Sequence, residues 1–151
     1  MALADEITRK TEFDLTVEYL GGEDVFDASN PVEAHRAIAE GLPLASFIAM
    51  LTHVPSREDV EFVTGLNKRA FQRLKSHSKR LSPDQSGNLW SFARILATAT
   101  DVLGSREDAL QWLKRPSMAL DNERPIDLIR TPAGSQLLEA HLRRLEYGVY
   151  T

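Results

Sequence analysis

The chain has 151 residues, 18 Lys plus Arg against 22 Asp plus Glu, and a formal net charge of −4. A hydrophobic content of 42% and a charged content of 26% are ordinary for a globular protein and exclude disorder throughout. The length suits one domain, or two small modules sharing a core. The absence of cysteine removes disulfides, thiolate metal sites, iron–sulfur ligation and cysteine nucleophiles together.

The opening MALADEITRK lacks the basic-then-apolar pattern of a secretory leader. The densest apolar stretch, Leu44 to Leu51, is far shorter than the ~20 residues a membrane helix needs. Both features predict a cytoplasmic protein with no membrane span. Charge is unevenly spread. Residues 1–64 carry four basic and thirteen acidic side chains, whereas residues 81–151 carry eight and nine. Between them, residues 65–80 hold Lys68, Arg69, Arg73, Lys75, Lys79 and Arg80 with no acid at all. One third of the cations therefore fall in sixteen residues, and this local excess says more about partners than the global charge does.

The first patterned segment is Thr11 to Tyr19, where Phe13, Leu15, Val17 and Tyr19 alternate with Glu12, Asp14, Thr16 and Glu18. A period of two predicts a half-buried strand closed by Gly21-Gly22. No second stretch alternates as clearly, so the strand's ladder groups would need a partner from another copy of the chain. Phe13, Leu15, Val17 and Tyr19 are thus candidate dimerisation residues; the alternative is an irregular arm over helices.

Helix punctuation dominates from there on. Asn30-Pro31 reads as an N-cap and first helical residue, with Gly41 as the stop. Pro43 opens a helix over Leu44–His53 and Pro55 closes it. Ser56-Arg57-Glu58-Asp59 and Ser105-Arg106-Glu107-Asp108 each read as a serine cap with acids in the first turn, suited to the positive end of the helix dipole. Ser82-Pro83-Asp84 starts a helix that runs to Leu103 before Gly104. Thr131-Pro132 starts the last one, which Gly148 ends. The fold class is mainly α. The predicted organisation is an N-terminal arm and dimerisation region over residues 1–40, a DNA-binding unit over 41–80 and a C-terminal unit over 81–151.

Within the middle unit, Ser56–Thr64 forms a short helix, Gly65-Leu66 a tight turn, and Asn67 caps a second helix from Lys68 to about His77. Two short helices joined by a glycine-containing turn make a helix–turn–helix, whose second helix can enter the major groove of DNA; the alternative is a solvated basic helix of a plain bundle. Ala70, Phe71 and Leu74 fall on the inner face, and Lys68, Arg69, Gln72, Arg73 and Lys75 lie away from it. Arg and Gln bond guanine and adenine edges in pairs, while Lys mostly meets phosphate.

Little points to catalysis. His35, His53, His77 and His141 never pair at helical spacing, so no metal motif appears. The chain has no phosphate-cradling glycine loop, no G-x-S-x-G elbow and no dinucleotide-binding glycine turn. His141, among Leu137, Leu138, Leu142 and Leu145, reads as a packed histidine, and Trp90 and Trp112 as core anchors. No enzyme activity and no cofactor are expected.

From Ala109 onward the sequence holds Trp112-Leu113, Pro116, Leu120, Pro125-Ile126-Asp127-Leu128-Ile129, Thr131, Gly134, Leu142 and Tyr147-Gly148 in order. This stretch closely resembles the toxin-binding domain of the MbcA/ParS/Xre antitoxin family, and most closely the Xre antitoxins paired with RES-domain toxins. The likeness extends upstream through Gly41-Leu42-Pro43 and the helix–turn–helix with Arg73, covering roughly residues 41–151. The sequence differs from the family pattern at Gly87-Asn88, where Asp-Arg is common, and at Ala70, where Thr is common.

The resemblance implies a bacterial type II antitoxin: a homodimer that binds operator DNA and neutralises a RES-domain toxin that degrades NAD. In the family the C-terminal domain covers the toxin's active-site cleft, which makes Arg143, Arg144, Tyr147, Gly148, Val149, Tyr150 and Thr151 the candidate toxin-binding residues. The tail chemistry points the same way, since a segment with two tyrosines and a valine gains by burial, either in a partner or folded back on its own helices. A helix–turn–helix regulator whose C-terminal unit dimerises or binds an effector is the alternative.

Overall fold

The computed structural model describes residues 10–26, 28–77 and 79–148. Among these the chain is helical, with two isolated antiparallel bridges, Pro43 with Arg80 and Ser117 with Glu123. The helices are α1 Glu12–Tyr19, α2 Pro31–Glu40, α3 Leu44–His53, α4 Arg57–Thr64, α5 Lys68–Ser76, α6 Pro83–Leu103, α7 Arg106–Lys114, α8 Pro125–Leu128 and α9 Pro132–Glu146; a single 3-10 turn, Met118–Leu120, lies between α7 and α8. No helix among the described residues is long and apolar enough to cross a membrane.

The caps read from the sequence fix most of these boundaries. Asn30, Ser56, Asn67, Ser82, Ser105 and Thr131 each accept a backbone N–H from the first turn of the helix they precede. Proline stands at the first turn of α2, α6 and α9, where its missing N–H leaves no helical bond unmade. Gly65 and Gly104 end α4 and α6 in the left-handed conformation.

The expected N-terminal strand is a helix instead. Thr11 and Asp14 close a capping box: the Asp14 amide donates to Thr11 Oγ1 at 3.0 Å and the Thr11 amide to Asp14 Oδ2 at 3.2 Å. The helix ends in a Schellman motif, with Gly22 N–H on the Val17 carbonyl and Gly21 N–H on the Glu18 carbonyl. A lone strand would have left its backbone groups unpaired, whereas α1 satisfies its own. Helical spacing also redistributes the side chains. Thr16, Val17, Tyr19 and Leu20 are buried, while Phe13 and Leu15 are half-buried against the core. Phe13 lies 5.9 Å from the Trp90 ring and the Tyr19 hydroxyl lies 3.1 Å from Thr100 Oγ1. Phe13 and Tyr19 therefore meet this chain's own long helix, and Leu15 and Val17 join its core cluster, so the segment is not a strand shared with a second copy.

The long helix α6 is the axis of the molecule. Leu89, Phe92, Ala93, Ile95, Leu96, Ala97 and Ala99 are fully buried, and α1, α2, α4, α7 and α9 all pack on it. One apolar cluster runs from Val17 through Phe47, Val60 and Phe92 to Leu142. Full burial stabilises each large side chain by about 1.5–3 kcal/mol, so α6 ties both halves of the chain together.

Candidate functional site

The helix–turn–helix forms where its punctuation predicts. Gly65 at φ 74° closes α4, with its N–H 2.8 Å from the Glu61 carbonyl. The Thr64 hydroxyl donates to the Val60 carbonyl and accepts the Leu66 N–H, which fixes the turn, and Leu66 is completely buried beneath it. Asn67 Oδ1 then accepts the Ala70 N–H at 2.8 Å and starts α5. Phe71, the one fully inward side chain of α5, sits 5.7 Å from the Phe47 ring. The Arg57 guanidinium lies over the Phe71 ring at 4.7 Å while its Nε donates to Glu61 Oε1 at 3.0 Å.

With Phe71 facing inward, Lys68, Arg69, Gln72, Arg73 and Lys75 are all exposed on the outer face of α5. None of the five side chains makes a hydrogen bond or ion pair among the described residues. The sequence explains this, since no acid lies between Glu61 and Asp84 and so none stands at helical spacing. The face is anchored from behind. Leu44 N–H donates to the Lys79 carbonyl at 2.7 Å, Leu81 N–H to the Leu42 carbonyl at 2.8 Å, and the Arg80 guanidinium to the Gly41 carbonyl at 2.9 Å. Gly41 is required there, because at φ 97° a Cβ would meet the Leu81 carbonyl oxygen. The buried Ser86 hydroxyl accepts Leu42 N–H at 2.7 Å and joins this turn to α6.

The C-terminal unit is built from α7, α8 and α9 against α6. Gly134 lies so close to the Leu128 carbonyl that no side chain fits, and the Ser135 hydroxyl donates to the Ile129 carbonyl at 3.1 Å. Arg124 grips Asp127 with two parallel bonds of 3.0 and 2.9 Å, which raise the guanidinium pKa further. Glu139 on α9 pairs with Arg94 on α6 at 2.9 Å. His141 stacks on Trp112 nearly parallel, at 6.2 Å between ring centroids. Desolvation first, then the nearby Arg144 charge, hold its pKa below the usual histidine value. His141 is thus a packing residue, as the sequence suggests.

Of the candidate toxin-binding residues, Arg143, Arg144, Tyr147 and Gly148 are exposed at the end of α9, with Tyr147 75% accessible. Val149, Tyr150 and Thr151 lie outside the described residues. Between α7 and α8 a tight loop holds Asp121 and Asn122 in the left-handed region and presents Met118 to solvent. Three contacts have no sequence-level signature: Arg57 over Phe71, Lys114 with Asp59, and Arg130 over Phe62. Each joins residues of different elements, so spacing along the chain could not reveal it. Among the described residues no group of three His, Asp or Glu converges as a metal site.

Comparison with known proteins covers both halves. Residues 33–94 match the model of the Antitoxin Xre-like helix-turn-helix domain, and residues 98–148 that of the Antitoxin Xre/MbcA/ParS C-terminal toxin-binding domain. The two matches meet inside α6. The chain is 28% identical over 105 residues to an antitoxin Xre of Yersinia enterocolitica, a match spanning 69% of this chain and 70% of the relative. It is 24% identical over 127 residues to one of Photorhabdus laumondii, spanning 82% and 85%. A Pseudomonas putida antitoxin Xre is 25% identical over 125 residues, spanning 83% of this chain and 78% of its own length. With both domain models matched in order on a helical fold, the chain belongs to the Xre/MbcA/ParS antitoxin family.

Proposed function

We propose that this protein is the antitoxin of a type II toxin–antitoxin system, with operator DNA and a RES-type NAD-degrading toxin as its two partners. The observation that carries the DNA half is the outer face of α5, where four cations and Gln72 stand exposed with no acidic neighbour. Cations held in this way meet phosphates without first breaking an internal ion pair, and Arg69, Gln72 and Arg73 suit base edges. The protein acts as a homodimer, presenting two such helices to a two-fold site and so regulating its own operon.

The match of residues 98–148 to a toxin-binding domain supports the second partner. Neutralisation is by occlusion. The end of α9 with Arg143, Arg144, Tyr147 and Gly148, continued by Val149, Tyr150 and Thr151, fills the toxin's NAD cleft and excludes the dinucleotide. Tyrosine suits that task because it buries a large area at a small rotamer cost. No reaction by the antitoxin is required.

Co-expression with a RES-domain toxin while cellular NAD is measured tests the reading. NAD stays at its normal level with the antitoxin present and falls without it. Depletion in spite of stoichiometric antitoxin excludes a toxin of that kind. For the DNA partner, a salt series on a promoter duplex gives an affinity that falls steeply with ionic strength. An affinity insensitive to salt excludes the α5 face.

A further inference from the structure

Lys114 closes α7, in the C-terminal unit, and Asp59 lies in the first turn of α4, the scaffold helix of the helix–turn–helix. Lys114 Nζ donates to both carboxylate oxygens, at 2.7 and 2.9 Å, and the Asp59 side chain is only 18% exposed. The two residues line one cleft of about 360 Å³, whose floor includes the buried Val54, Phe92, Leu113 and Ile126. The ion pair therefore links α4 to α7 beside this cleft. A second tie lies further along α4, where the Arg130 guanidinium sits over the Phe62 ring at 4.6 Å. Both ties land on α4, and α4 in turn carries Arg57 over Phe71, the inward anchor of α5.

We infer that Lys114 and Asp59 form a latch by which the C-terminal unit positions the recognition helix, so that DNA affinity depends on a lysine outside the DNA-contacting face. This rests on the DNA-binding reading above. Lys114 and Asp59 are positioning residues: they fix α4, and α4 fixes α5 through Arg57 and the Gly65 turn. With the latch released, α4 stays packed on α6 but its first turn loses a tether, and affinity falls by the free energy of restoring its position at binding.

Electrostatics alone gives the opposite sign for one partner. Removing the negative charge of Asp59 from a DNA-binding surface would strengthen attraction to phosphate, whereas release of the latch weakens binding.

The test is a double-mutant cycle with Lys114→Gln, Asp59→Asn and the pair, titrated into a labelled duplex of the promoter of its own operon. Each single change lowers affinity about threefold, and the double change lowers it about threefold rather than ninefold, because either one already breaks the latch. Lys114→Arg keeps the ion pair and near-normal affinity. The slope of log affinity against log salt stays that of the wild type in every variant, since no phosphate contact is lost. Unchanged affinity in Lys114→Gln, tighter binding in Asp59→Asn, or a multiplicative double effect overturns the latch. A slope reduced by about one in Lys114→Gln also overturns it, because Lys114 then touches phosphate itself. A wild-type protein that does not hold the duplex removes the DNA reading and the latch together; loss of the latch effect with wild-type binding intact removes the latch alone.

Discussion

Helices α5 and α9 are both amphipathic and both expose arginines, yet they are held in different ways. The helix α5 is nine residues long, buries Phe71 with Ala70 and Leu74 half-buried beside it, and shows solvent a face of cations and Gln72 without an acid. The terminal helix has fifteen residues, buries Leu138 and Leu142, and is pinned by Gly134 against Leu128, by Ser135 on Ile129 and by Glu139 on Arg94. Its exposed end mixes Glu146 with Arg143 and Arg144 and closes in an exposed Tyr147. Amphipathicity does not separate the two; the company of the cations does. On the proposed function, the face of cations alone serves a polyanion and the mixed-charge end with its tyrosine serves a protein surface.

The sharpest way to break that contrast is to remove Tyr147–Thr151. Toxin capture and neutralisation are lost, while promoter affinity and the folded core are unchanged, as read by pull-down, gel shift and thermal melting. If capture persists, the partner surface lies elsewhere on the C-terminal unit. Gly134→Ala tests the anchoring of α9. The added methyl meets the Leu128 carbonyl, and overpacking of this kind destabilises by about 2–3 kcal/mol, seen as a lowered Tm with weakened toxin capture. Thr11→Ala removes the cap of α1 and destabilises by about 1 kcal/mol. Because α1 packs on α6 and α3 and supplies none of the cations of α5, DNA affinity stays normal.

The smallest effect is on pH. His53 and His141 both have pKa values below the ordinary 6.5, chiefly through desolvation, with Arg106 and Arg144 respectively adding to it. As pH falls below about 6.5 the unfolded chain takes up protons first, so native stability is full above that value and declines beneath it. Tm is therefore lower at about pH 5.5 than at about pH 7.5, and His141→Gln flattens part of the difference. An unchanged slope in that variant shows that the Trp112 stack does not carry the dependence.

Most of the fold was legible because it is written in punctuation. Serine, asparagine and threonine caps, first-turn prolines and closing glycines place α2 through α6 and α9 nearly to the residue and the start of α7, and the turn glycine and Asn67 place the recognition helix. The failure at Thr11–Tyr19 has a clear cause. Eight residues of alternating polarity fit a strand by period, but Thr11 and Asp14 three residues apart form a capping box, and the two glycines that seemed to end a strand complete a Schellman motif. The box was the stronger local signal. Beyond punctuation, the sequence says nothing about which distant side chains meet. The exposed cations of α5 could be read from the lack of nearby acids; the Lys114–Asp59 pair, 55 residues apart, could not.

The most direct test of the account is Arg69→Ala with Arg73→Ala, assayed for promoter binding and toxin capture on the same preparation. Two lost contacts to phosphate or base, each about 1–3 kcal/mol, lower promoter affinity by a hundredfold or so and leave toxin capture at its wild-type level. Both activities falling together, or promoter affinity unchanged, would contradict a chain that keeps its two partners on separate faces.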